Sequence, residues 1–530
     1  MATEQDAVKV DIEKGAVPTL TTTPILASES HSIYTQKQKR WMVITAAVAS
    51  TFSPITGNIY LPALNSVAHD LKVSNSVITL TVTFYMILQG IAPTFIGAFS
   101  DTAGRRPAYI ICFVIFIAAN IGLALQNNYY ALLILRMVQS SGSSGTIALA
   151  NACVADLVTS AERGSYIAYT SLSSILAPAL GPVIGGILSQ YAGWHWIFGF
   201  LGIAAVTFFI PFFLFFPETC RVIVGNGSIP PPRLNQSLPT YLLEKRKRRE
   251  GDIDVFIKRD ELAKNRKISF PNPMDVLRIV FSKTAGLVLL STSLLFSTAY
   301  AVMTSIPSQF SQRYGFDDLQ VSLIYLPLAV GSTLSAFTTG KLIDRNYRRH
   351  AKKLGLTIDN SRQDDLSEFP IERSRIEVSM PIAIVGVVAV IIYGWLVQYN
   401  IHLAGPCIML FIFGYSMTAM FNTMNILMVD LYQGRPASAT AANNLTRCLL
   451  GAGATAAVIP LIESVGIGWT CTLAAVLWGG FSLPLLVYLM HVGPRWRKES
   501  KMKEDAKIAQ KAAVCKSKQS PNLATQPHPA

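Results

Sequence analysis

Apolar runs long enough to cross a hydrocarbon layer of ~30 Å, which takes about 20 residues, alternate along the chain with short polar connections. They fall at 41–64, 78–100, 108–126, 131–155, 166–190 and 196–216, then at 285–310, 319–340, 380–399, 403–429, 438–462 and 468–491. The pattern predicts an all-α membrane protein of twelve transmembrane helices in two six-helix bundles, at 41–216 and 285–491. A basic insert at 217–284 links them. Residues 1–40 and 492–530 are polar tails; 1–40 reads as disordered, and the second tail as a short Lys- and Ala-rich surface helix running into disorder at 516–530. The first apolar run exceeds the core of about 7–15 residues of a cleaved signal, so it is expected to be retained as a helix.

The halves echo one another. Gly97, Asp101, Arg105 and Arg106 recur as Gly340, Asp344, Arg348 and Arg349, each shifted by the same interval, and each set follows an apolar run. Tyr347 stands where Gly104 stands in the first copy, which predicts a degraded second motif. A further pair is Asp156-Leu157 and Asp430-Leu431, at the ends of the fourth and tenth runs. Two similar bundles in tandem are the layout of a carrier that rocks one half against the other.

Charge then orients the chain. Charged residues make up 14% of it, against roughly 25% in soluble domains. Of the 45 Lys and Arg residues, 41 lie in segments that alternate counting places on the side of both termini. That bias puts the termini in the cytoplasm. It also accounts for the net charge of +14 without nucleic acid. The run Lys245-Arg246-Lys247-Arg248-Arg249 in the insert reads as a solvated linker, or as a contact for anionic lipid. Asn226 and Asn235 open glycosylation sequons on the cytoplasmic side and are expected to be unused. The seven cysteines lie in helices and cytoplasmic segments, where no disulfide framework is expected. The seven histidines are scattered over tails, loops and helix ends, and no Walker-type glycine loop is present. No enzyme activity, cofactor or metal is expected.

Gly97-Ala98-Phe99-Ser100-Asp101-Thr102-Ala103-Gly104-Arg105-Arg106 resembles the signature loop of the major facilitator superfamily. Arg136-Met137-Val138-Gln139 resembles the family's Arg-x-x-Gln motif, with Ser140 in place of the usual next glycine, and Gly181-Pro182-Val183-Ile184-Gly185-Gly186 its antiporter motif. Asn58-Ile59-Tyr60-Leu61-Pro62-Ala63-Leu64, Pro217-Glu218-Thr219 and the run from Gly434 to Leu445 are similar to the quinidine-resistance-like group of fungal drug:proton antiporters with twelve spanning helices. The resemblance implies a cytoplasmic gate of Gly97, Asp101, Gly104, Arg105, Arg106, Asp344 and Arg348. It also implies proton coupling through Arg136 and Gln139, and a helix-packing seal of Gly181, Pro182, Gly185 and Gly186. The first helix carries no acid, so the proton carrier stays open. Snorkelling of Arg136 to the nearer interface is the alternative to a functional role.

Arg447 lies deep for snorkelling, which leaves a cavity-facing role or a buried arginine paired with carbonyls, and Asn422 and Asn425 share one face of the tenth helix. With Phe84, Tyr85, Gln89 and Tyr300 they suit a cavity of aromatic walls and a few polar anchors. The implied function is export of small amphipathic or cationic organic compounds by proton antiport. The expected setting is the fungal plasma membrane, with the vacuolar membrane as the other location, and the expected assembly is a monomer. A carrier for one metabolite, such as a polyamine, an organic acid or a secondary-metabolite product, possibly an uptake carrier, is the rival reading.

Overall fold

The computed structural model describes residues 32–158, 166, 177, 180–250, 273–353, 369–432, 436–499 and 502. Among them the regular secondary structure is entirely helical. The first half contains α1 (Gln36–Ile59), α2 (Asn75–Ala103), α3 (Arg105–Leu125), α4 (Tyr129–Leu157), α5 (described as a continuous helix over 180–192) and α6 (His195–Phe215). The second contains α7 (Lys283–Tyr314), α8 (Asp318–Lys353), α9 (Ile371–Gln398), α10 (Ala404–Leu431), α11 (436–465) and α12 (467–499). Nine stretches among the described residues are long and apolar enough to cross a membrane. The last, Ala439–Glu499, holds both α11 and α12, because Gly466 at φ +82° ends one helix and starts the next. The 29-residue α4 stays outside that set for a chemical reason: Arg136, Gln139, Ser140, Ser141, Ser143 and Ser144 crowd its middle. Ile203, Val330 and Phe337 point outward at 61%, 57% and 65% exposure, as lipid-facing side chains do.

Several boundaries move. α1 begins at Gln36, where Thr35 and Gln38 form a reciprocal capping box, so residues 36–40 are helical where disorder is expected. α8 and α9 continue as polar turns past the apolar runs, because charged residues neither break a helix nor need to lie in hydrocarbon. Of the linker, 217–250 and 273–284 are described; they carry short helices at Arg221–Val224, Leu238–Glu250 and Pro273–Val280. Cys220, Ile223 and Val224 form a small apolar cluster of their own. The expected disorder at 1–30 and 516–530 lies outside the described residues.

α4 packs against α1, α2 and α3, and α6 against α3; α10 packs against α8 and α9, and α7 against α11 and α12. Between the halves, α2 runs along α11. Pro62 turns the chain after α1 into a 3-10 turn, Leu61–Ala63, and a short helix, Leu64–Asp70, that lie against α7 and α8. The end of the bundle carrying the α2–α3 turn and the linker is the basic face; the opposite end is the far face.

Candidate functional site

On the basic face the first half builds a tight charge cluster. α2 ends at Gly104, whose φ of +114° is one a side chain rarely adopts and where a Cβ would run into Glu218 and Asn235. The sharp turn makes Arg105 the first residue of α3. Its guanidinium bonds Asp101, Ser100 Oγ at 2.7 Å and Asp156 Oδ2 at 2.9 Å. Glu218 accepts the backbone N–H of Arg105 at 2.8 Å and of Arg106 at 3.2 Å, so a carboxylate from beyond α6 caps the positive end of α3. Asn235 donates to Glu218 Oε2 at 2.7 Å and to Ala103 O at 2.9 Å, so the second sequon's amide is committed to this cap. Arg106 donates from Nε to Phe216 O at 3.1 Å and bonds Phe213 O as well. Gly97 has open space at its Cβ position, and its carbonyl accepts from Ser100. Burial pushes the neighbouring Cys220 thiol up to about 11, so it adds no charge here. These bonds join α2, α3, α4 and the linker; they brace one half rather than reaching to the other.

The second half differs for a reason visible in one residue. Tyr347 does not supply the left-handed turn that Gly104 supplies, and α8 runs on unbroken to Lys353. Asp344 and Arg348 are therefore exposed on a helix, with no ion pair among the described residues. Asp430, the counterpart of Asp156, is met instead by Arg375 in the second turn of α9, at 3.2 Å, with the Tyr347 ring 4.9 Å below the guanidinium. Nearby, Arg497 of α12 reaches the fully buried Glu372 at 3.5 Å. Arg375 and Asn235 are site residues that motif reading missed, and Glu218 stands in a matched motif that carries no role by itself. The Asp430 echo was the signal for Arg375, hidden because the longer connection before α9 destroys a constant offset.

At the centre of the bundle Arg136 is completely buried, so it does not snorkel. Its guanidinium lies 4.5 Å from the Tyr60 ring and 4.3 Å from the Tyr85 ring. Nη1 donates to Gln139 at 2.7 Å, Gln139 donates to Asn120 at 2.8 Å, and Nε and Nη2 have no partner among the described residues. Arg447 is half-buried between Phe296 and Phe421, at 5.0 and 5.2 Å, and bonds Asn444. Asn444 also donates to Gln89 O at 2.9 Å across the halves, and Asn443 donates to Asn425. Tyr300 packs against Phe296 in a tilted pair, with ring centroids 4.6 Å apart, and Phe84 and Asn422 are half-buried on their helices. Tyr60, Asn120, Phe296, Phe421 and Asn444 join the expected set; Asn444 was legible as the residue three before Arg447. Arg136→Lys keeps the charge but loses the flat stacking surface. It is expected to lower transport about tenfold, equivalent to ~1.4 kcal/mol, measured as flux per molecule at the membrane.

Towards the far face the glycines of α5 make the closest approaches. A Cβ on Gly181 would lie 3.1 Å from Asn58 Cβ, and one on Gly185 would overlap Ile59 O, so α5 lies directly on the end of α1. Pro182 between them is buried. Gly186 faces the other half, where a Cβ would meet Ser322 Oγ at 2.5 Å and Asp318 O at 2.8 Å. The Asp318 carboxylate accepts from Ser66 Oγ at 2.6 Å and from Ser189. Asn65 donates to Pro307 O at 2.6 Å, and Thr83 pairs with Thr455 at 2.9 Å. The bonds between the halves thus run from the middle of the bundle to the far face.

The sequence model of the Major Facilitator Superfamily matches residues 46–456. MFS-type transporter phiD from Fungal sp. (strain ATCC 74256) is 49% identical over 483 residues, covering 91% of this chain and 72% of the relative. Citrate exporter 1 from Aspergillus niger is 35% identical over 512 residues, covering 94% and 95%. Among solved structures, the xylose transporter XylE from E. coli in a partially occluded inward open conformation aligns with a TM-score of 0.56 at 13% identity, covering 85% of this chain and 98% of that one, a likeness of fold alone.

Proposed function

Because this chain belongs to the major facilitator superfamily, and is therefore a multi-pass membrane transporter and not an enzyme, we propose that it exports small organic compounds from a fungal cell in exchange for protons. The observation that carries the reading is the one-sided seal: Gly186 on Ser322, and Ser66 and Ser189 on Asp318, close the far face over a polar centre shared by both halves. Alternating access requires such a closure to open while the opposite one forms. We place the basic face in the cytoplasm and the protein, as a monomer, in the plasma membrane. The charge clusters then hold the cytoplasmic ends of each half rigid, as gate elements must be.

One observation favours the narrower reading, export of an organic acid or an acidic secondary metabolite. The two charged side chains at the centre, Arg136 and Arg447, are both cationic, which repels polyamines and cationic drugs. The 35% identical relative named as a citrate exporter points the same way. Deletion and overexpression in the native fungus, followed by profiling of the medium and of growth on toxic compounds, separates the two. Altered tolerance to many unrelated toxins supports a multidrug exporter, and loss of one acidic product from the medium a dedicated one. No change in either overturns export.

A further inference from the structure

We propose that the central site binds an organic anion, a carboxylate above all, between Arg447 of the second half and Arg136 of the first. The inference rests on the transporter reading and adds the charge and shape of the cargo. The first support is where charge sits. None of the 31 Asp and Glu residues of the chain lies in the middle of a described membrane helix. Asp101, Asp156, Asp318, Glu372, Asp430 and Glu463 are at helix ends, and Asp344 and Glu377 lie on the exposed basic-face extensions of α8 and α9. Arg136 lies about two turns inside α4 and Arg447 about three turns inside α11. Charges at such depth are costly unless a partner meets them, and the protein supplies no acidic one among the described residues.

Geometry is the second support. The Tyr85 ring lies 4.3 Å from the Arg136 guanidinium, and Tyr85 and Tyr300 both border Gly57, whose Cβ position is 3.7 Å from Tyr85 Cε1 and 4.0 Å from Tyr300 Oη. Tyr300 packs against Phe296 with the rings tilted by 40°, and Phe296 lies under Arg447 at 5.0 Å. A row of three aromatic rings therefore connects a cation of one half to a cation of the other. Among the described residues Arg136 Nε and Nη2 have no hydrogen-bond partner, and the Arg447 guanidinium bonds the neutral Asn444. A guanidinium fork with free N–H groups matches a carboxylate in a bidentate way. The rings between the forks suit an apolar or aromatic body. A ligand held by both arginines also ties the halves together, which makes its binding sensitive to their rocking.

Three probes with one ring system isolate the charge: 2-naphthoate, 2-naphthamide and 2-naphthylmethylammonium, titrated into the full-length protein in detergent. The expected order is naphthoate tighter than the amide by about tenfold, with the ammonium weakest. Arg447→Gln should remove that order, and Arg447→Lys should keep it in weakened form, so a misfolded Gln variant leaves the test readable. Amide or ammonium binding as tightly as naphthoate overturns the proposal. So does a preference for naphthoate that survives in both Arg447→Gln and Arg136→Gln, and so does failure of all three to bind at millimolar concentration. Binding is read without a pH gradient; a protein that selects the anion yet ignores protons would refute the antiport reading and leave this one intact.

Discussion

Arg375→Ala is expected to abolish most transport, whereas Arg348→Ala, at the position that sequence repetition marks as the gate arginine, should change it by less than twofold. Arg375 and Asp430 have side chains only 12% and 21% exposed, and the pair joins α9 to α10. Removing one partner of a largely buried ion pair leaves the other charge uncompensated, at a cost of about 3–5 kcal/mol. Arg348 is exposed, with no ion pair among the described residues, and surface changes of that kind stay within roughly 0.5 kcal/mol. Export per surface-labelled molecule, with thermal stability measured in parallel, decides the matter. An inactive Arg348→Ala beside a normal Arg375→Ala would return the gate to the repeated motif. Asp156→Asn, which breaks the equivalent pair in the first half, should behave like Arg375→Ala.

That contrast shows where sequence is transparent and where it is not. Spans are legible because a membrane imposes a length and a composition that local reading detects, and eleven connections between them follow from polarity. The first charge cluster is legible because Gly104 makes the turn and its neighbours make the pairs, all within a few residues. Asp156 enters from another helix and shows only as an echo of Asp430. Glu218 and Asn235 act on α3 from more than a hundred residues away, which no local pattern encodes. In the second half Tyr347 stands where the first has Gly104, the helix runs on, Arg348 lies on its surface, and Arg375 is the arginine that meets Asp430. Arg136 poses a different problem: distance from a helix end suggests snorkelling, and its burial comes from tertiary neighbours such as the rings of Tyr60 and Tyr85.

Gly186→Val is expected to stop transport at normal abundance. The new side chain must occupy space held by Ser322 and the Asp318 carbonyl, so it opposes closure of the far face. Overpacking of a tight contact costs about 1–3 kcal/mol. A cost near 2 kcal/mol shifts the balance between closed and open far faces roughly thirtyfold, since every 1.4 kcal/mol is a factor of ten. The smaller Gly186→Ala should be partly impaired, and Ser322→Gly in the same chain should recover at least half of the loss by vacating the contact. Cysteine labelling from the far face should rise in Gly186→Val. A variant that transports normally, or an Ala variant that Ser322→Gly cannot rescue, would show that this contact is not the seal.

Proton-driven export is the central functional proposal, and it stands or falls independently of anion binding. One charge moving through 100 mV supplies ~2.3 kcal/mol, and a tenfold proton ratio about 1.4 kcal/mol more. That sustains a several-hundredfold gradient of a neutral substrate per proton, and a larger one for an anion, whose exit the inside-negative potential also favours. The direct measurement uses inside-out vesicles with an acidic lumen and the product identified in the medium of the overexpressing strain. The account predicts accumulation in the lumen that collapses on adding an uncoupler and is absent with Gly186→Val; accumulation that is the same with and without the pH gradient would contradict it.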